Sequence, residues 1–141
     1  MANPNVSQIG SYILVKAGTV PAAQAAATRD GTAIDRLGYS SCVLFAQSGA
    51  VSGAPSTQTM DAKLQDSEDG STGWADYTPP TGTAAVTQIT AASSVSEKDV
   101  DLAGAKRYIR VRETVAFTAG TSPTLGAATQ VVLGGAVVKP A

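Results

Sequence analysis

Histidine is absent from the 141 residues and cysteine occurs once, at Cys42. Without an imidazole there is no Ser/His/Asp or Cys/His nucleophile machinery, and one thiol cannot close a disulfide, a zinc cage or an iron–sulfur site. Aromatic residues are sparse at 5%, and ten Lys and Arg against eleven Asp and Glu leave a net charge of −1. Phosphate backbones call for a clear basic excess, so nucleic acid is not an expected partner. Nor is a membrane. The longest charge-free stretch, Thr114 to Val138, carries Thr118, Gly120, Ser122, Pro123 and Gln130 and reads as two strands with a turn between them. The start, MANPNVSQIG, has neither a basic n-region nor an apolar h-region, so synthesis in a cytoplasm without secretory routing is the expectation. Together these absences predict a chain that works by binding, with no catalytic residues, no cofactor and no metal.

What is present is a hydrophobic content of 43%, much of it alanine and valine, against 15% charged residues. That is the composition of one folded domain with a thin core. Period-two alternation dominates. In Thr59 to Gln65, Met60, Ala62 and Leu64 share one face; in Lys106 to Phe117, Ile109, Val111, Val115 and Phe117 do. Further strands are predicted at Ser11 to Lys16, Tyr39 to Gln47, Trp74 to Thr78, Ala85 to Ala91, Val95 to Leu102 and Ala128 to Val138, bounded by turn-forming residues. Only Pro21 to Thr28, an alanine run behind a proline, reads as a short helix. The fold class predicted is therefore all-β, a two-sheet antiparallel sandwich of jelly-roll-like kind with at most one short helix. It comprises an N-terminal arm over 1–10 and a single domain over 11–141. The arm should be ordered only against another chain. The predicted core comprises Val43, Phe45, Met60, Leu64, Ile109, Val111, Val115 and Leu133.

Few residues offer chemistry. Asp66 to Thr72 superficially resembles a calcium loop, but with Gly70 at the sharp turn the first ligand position falls on Gln65, the third on Ser67 and the last on Asp76, which leaves too few charges and suits a surface turn around Asp69-Gly70 better. Gly134-Gly135 has no phosphate-loop context and predicts a bulge or a close backbone approach. Cys42 reads as a buried, reduced core residue. Glu113 falls on the apolar face of its strand, where an unpaired carboxylate is too costly, so a bulge, an exit from the core or an ion pair with Arg110 or Arg112 is expected. Charge is also sorted along the chain. Acids gather at Asp61 to Asp76 and at Glu97, Asp99 and Asp101, while Lys106, Arg107, Arg110 and Arg112 load one strand. A Gly104-Ala105 turn would set these last two segments in a hairpin, with Val100 opposite Ile109, Asp99 opposite Arg110, Glu97 opposite Arg112 and Lys98 against Val111. The alternative use of the basic strand is an interface with an acidic partner.

Four pieces of the chain, GTAIDRLGYSSCVLF, MDAKLQDSEDGSTGWADY, VDLAGAKRYIRVRETVAF with its TAGTSPT turn, and TQVVLGGAVVKP, together resemble the decoration or cement proteins of tailed-bacteriophage heads. The resemblance implies a structural virion protein on the capsid exterior. Its partner would be the major capsid protein, and it would be homo-oligomeric, as a trimer or dimer. The candidate interface is then Lys106, Arg107, Tyr108, Arg110 and Arg112 with Asn3, Pro4 and Asn5 of the arm, which could be added as a strand to a neighbour. Two other readings stand beside it. QDSEDGSTGWADY followed by KRYIRV also looks like a sugar-binding or adhesion module, and a head-completion or tail-tube protein is the third class, which long extended hairpins would support and the short strands expected here do not.

Overall fold

Alternation of more and less buried positions runs through most of each long strand of the computed structural model, which describes residues 6–136, and gives way over Leu64 to Ser67, which are all buried. After a 3-10 turn, Val6–Ser11, the strands are β1 (Leu14–Ala17), β2 (Ala22–Gln24), β3 (Ala27–Asp30), β4 (Ile34–Asp35), β5 (Tyr39–Ser52), β6 (Thr57–Ser67), β7 (Ala75–Asp76), β8 (Val95–Asp101), β9 (Tyr108–Thr118) and β10 (Thr124–Ala136). They form two antiparallel sheets packed face to face. Sheet I has the order β1-β10-β5-β8, with β2 also on β10; sheet II has the order β3-β9-β6-β7, with β4 also on β9. The fold is thus an all-β two-sheet antiparallel sandwich. Each sheet has two long central strands and, at one edge, a pair of short strands laid end to end.

The four long strands come as two connected pairs, β5–β6 and β9–β10, whose members part into opposite sheets: β5 pairs with β10 and β6 with β9. Both connections meet at one end of the sandwich. The Thr121 amide donates to the Gly53 carbonyl at 2.8 Å and the Ser56 amide to the Thr118 carbonyl at 2.8 Å. Gly53 (φ +82°) and Gly120 (φ +93°) are required there twice over. Their left-handed backbone excludes most side chains, and a Cβ on Gly53 would lie 2.6 Å from Pro123 Cα and one on Gly120 2.8 Å from the Gly53 carbonyl oxygen.

Six of the eight predicted core residues are buried: Met60, Leu64, Ile109, Val111, Val115 and Leu133. Val43 and Phe45 are not, because β5 sits in the opposite phase: Cys42, Leu44 and Ala46 face inward and Val43 and Phe45 are half-buried on the outer side. Both faces of this strand are apolar, so alternation leaves the phase open. Pairing settles it, by placing Cys42 between Leu133 and Val100, which are both core residues.

Other expectations are also revised. Pro21 to Thr28 is not a helix; Ala22–Gln24 pairs with Leu125–Ala127, and Ala27–Asp30 pairs with Val115 through Arg112. An eight-residue segment with five alanines gains too little from helix propensity to compete with two sheet edges. The expected strand at Ala85 to Ala91 makes only two isolated bridges, Lys63 with Ala85 and Met60 with Ile89, along the edge of β6. The proposed hairpin does not form: β8 pairs with β5 in sheet I while β9 lies in sheet II, so Asp99 faces Val43 and Glu97 faces Phe45. Leu102 and Ala105, both buried, carry the chain from one sheet to the other. Gly135 has φ +64° and its absent Cβ would collide with the Ser40 hydroxyl, so a side chain rather than another backbone makes the close approach there. Met1 to Asn5 of the arm, and Val137 and Val138 of the last predicted strand, lie outside the described residues.

The phase of β5 has a direct consequence for stability. Leu44→Ala should cost about 2–5 kcal/mol, as deletion of a fully buried leucine does, whereas Val43→Ala should cost less than about 1.5 kcal/mol. Urea denaturation of the two variants checks this, and equal losses would place the phase in doubt.

Candidate functional site

Three places carry the chain's polar chemistry: a buried cluster between the sheets and the two outer sheet faces. The buried cluster is built around Glu113, whose position in β9 turns it inward and leaves it 1% exposed. No bulge removes it from the core. Arg29 of β3, one strand over and directly opposite in register, donates from Nε to Oε1 at 2.7 Å and from Nη2 to Oε2 at 3.2 Å, and also reaches the Ala127 carbonyl of sheet I at 2.9 Å. Arg110 and Arg112, the partners expected from sequence, point to the outer face instead, as their odd separation from Glu113 in the strand requires.

Donor directions in this cluster follow from the chemistry. The Thr19 amide donates to Thr129 Oγ1 at 2.8 Å; the Thr19 hydroxyl gives its one proton to Glu113 Oε2 at 2.6 Å, so the 2.7 Å bond between the two hydroxyls is donated by Thr129 Oγ1. Thr19 and Thr129 are buried, at 4% and 1% exposure, and every buried side-chain polar atom among the described residues has a partner. The carboxylate, 1% exposed, therefore has both oxygens engaged. Its work is to tie the two sheets together.

The outer face of sheet II carries the basic strand. Arg112 pairs with Asp30 at 2.7 Å; Arg110 reaches Asp30 at 3.3 Å, donates to Gln65 Oε1 at 2.8 Å and lies over the Trp74 ring at 4.4 Å; Arg107 pairs with Asp35 at 2.8 Å and lies over Tyr108. Lys63 pairs with Asp76 at 2.7 Å in the same array. Lys106 is exposed, with its backbone amide on Asp66. The structure thus brings Arg107, Tyr108, Arg110 and Arg112 onto one side, with Lys106 exposed just before the strand, but supplies the arginines with carboxylates from their own chain. Asn3, Pro4 and Asn5 lie outside the described residues. Trp74, the ring best suited to stack on a sugar, is covered by a guanidinium.

All five ion pairs among the described residues belong to sheet II or its margin. Sheet I differs. Its outer face carries the row Val15, Val132, Val43 and Asp99 across four strands, and beside it Ala17, Gln130, Phe45 and Glu97. An open depression of about 600 Å³ lies there, lined by Ile13, Ser41, Val43, Val132, Asp99 and Asp101 among others. Sequence reading missed this face because it assigned Val43 and Phe45 to the core and Asp99 and Glu97 to arginine partners. No protein-family model and no curated protein matches the chain.

The remaining candidates resolve locally. Asp69 accepts from the Ser71 and Thr72 amides and the Ser67 and Thr72 hydroxyls, and the Thr72 amide above all holds its carboxyl far below the usual range. Gly70, at φ +76°, completes this turn against the Tyr108 ring. No three His, Cys, Asp or Glu side chains among the described residues group as a metal site. Burial pushes the Cys42 thiol up to about 12, so it stays protonated and inert at neutral pH.

Glu113→Ala should destabilise by about 3 kcal/mol, the lower end for breaking a buried pair because Arg29 is 21% exposed, and Glu113→Gln, which keeps an acceptor for Thr19, should cost less. Equilibrium denaturation measures both. The surface pairs have a pH signature. Hydrogen bonds from Arg112, Arg107 and Lys63 hold Asp30, Asp35 and Asp76 below the ordinary carboxylate range. Their contribution is present above the unfolded-state carboxylate pKa and is lost as pH falls through the lowered folded-state values. Stability should therefore decline on acidification below about pH 4, and Asp30→Asn should flatten that decline in an acid titration followed by circular dichroism.

Proposed function

We propose that the chain is a structural binding protein that attaches to the outside of a tailed-bacteriophage head and reinforces it. It would be made in the host cytoplasm, assemble as a homo-oligomer and take the major capsid protein as partner. The observation that carries the binding reading is the contrast between the two outer faces. Sheet II meets its charge with its own residues, whereas sheet I keeps apolar side chains and carboxylates open together. The phage context comes from the resemblance of the four sequence pieces to head decoration proteins. A sandwich whose buried polar side chains are all paired among the described residues suits a protein whose task is to hold shape under load, and many copies on a lattice turn modest contacts into large collective stabilisation.

The adhesion reading is less favoured, since Trp74 is capped by Arg110 and Tyr77 is buried. The third class loses one argument against it: β5, β6, β9 and β10 are 14, 11, 11 and 13 residues long, not short as expected. These strands are nevertheless taken up in sheet pairing and do not project as free hairpins.

Purified protein added to expanded phage heads that lack a decoration layer should bind saturably in many copies per head and raise the temperature at which the heads release DNA. Absence of binding, or binding only at the portal vertex, would overturn the exterior decoration reading.

A further inference from the structure

We infer, on the reading of the chain as a capsid-bound protein, that the outer face of sheet I docks a protein surface in which apolar side chains are flanked by a row of lysine or arginine. The apolar component is the stripe Val15, Val132 and Val43, with Val15 at 53% exposure, and Phe45 beside it. The charged component is β8. Glu97, Asp99 and Asp101 alternate along it, so all three project from the same face, about 7 Å apart. None belongs to an ion pair among the described residues, and Lys98, the strand's cation, stands in the opposite phase. Register sets Asp99 at the end of the valine row and Glu97 next to Phe45, so the carboxylates border the apolar stripe along one side.

Charge complementarity selects the occupant. A row of like charges at this spacing is self-repulsive in the free protein, and desolvating it against apolar or acidic groups is costly, whereas cations at matching spacing relieve both. Among its described residues a second copy offers no such row. Arg107, Arg110 and Arg112 are held by Asp35 and Asp30, and β1 at the far edge of sheet I carries one cation, Lys16, in register with inward-facing Val131. Charges on an edge strand also discourage unwanted strand pairing, but that role does not account for the open valine stripe beside them.

The test uses the full chain and an alternating Lys-Val octapeptide as probe, with octalysine and a Thr-Val octapeptide as controls, followed by amide chemical shifts. The Lys-Val peptide should bind most tightly, with shifts confined to β1, β5, β8 and β10, and Glu97→Lys with Asp99→Lys should weaken it about tenfold or more. Glu97→Gln with Asp99→Asn, which keeps size and shape, should lie between. Shifts centred on sheet II, equal binding by the charge-reversed variant, or a self-associated state that buries Val15 would each overturn the inference. Head binding separates it from the wider reading. Wild-type protein that binds heads alongside an equally competent Glu97→Lys, Asp99→Lys variant sinks the docking face alone. Wild-type protein that ignores heads sinks the capsid reading, while the peptide titration still decides the face.

Discussion

The inward-facing carboxylate of Glu113 organises the middle of this sandwich. Glu113 stands where alternation demands an apolar side chain, and burying a charge there is tolerable only with a cation and further donors around it. Arg29 supplies the cation and Thr19 the donor, with Thr129 behind it. These residues come from β3, from the link between β1 and β2, and from β10, so satisfying one charge fixes the relative position of both sheets and of the edge strands. The glycines nearby serve the same arrangement. Gly18 and Gly31 approach so closely that a Cβ on Gly31 would collide with the Gly18 carbonyl, and one on Gly18 would meet the Val111 side chain at 2.7 Å. The segment over 14–35 therefore has little freedom to be anything but edge strands, which is why a local helix at Pro21 to Thr28 loses.

The division between the two outer faces follows from the same topology. Because β8 and β9 are sent to different sheets, the acidic and basic segments, adjacent in sequence, never meet. The basic strand finds Asp30, Asp35 and Gln65 on its neighbours in sheet II. The acidic strand lies beside β5, whose outer residues are Val43 and Phe45 and carry no charge to answer it. One face is left internally neutralised and the other acidic beside an apolar stripe. On the binding role proposed above, that asymmetry would make sheet I the face open to a partner.

Strand content was legible in the amino-acid sequence wherever one face of a run is apolar and the other polar. Met60, Ala62 and Leu64 in β6, and Ile109, Val111 and Val115 in β9, declare their inward phase without help, because the alternative register would expose every one of them. The absence of histidine, the lone buried Cys42 and the turn at Asp69-Gly70 were equally readable, since each rests on residue chemistry or local backbone preference. Tertiary pairing decided what local pattern leaves degenerate. In β5 both phases are apolar, and only the position of Cys42 between Leu133 and Val100 turns Leu44 inward. Glu113 announced that a partner was needed but not which, because Arg29 lies 84 residues away in sequence and reaches it through sheet pairing alone. Charge sorting along β8 and β9 showed which segments carry opposite signs, yet their distance in space depends on which long strand each one joins. That choice is made by burial of Val100, Leu102 and Ile109 against the whole core, a sum over both sheets that no segment contains by itself.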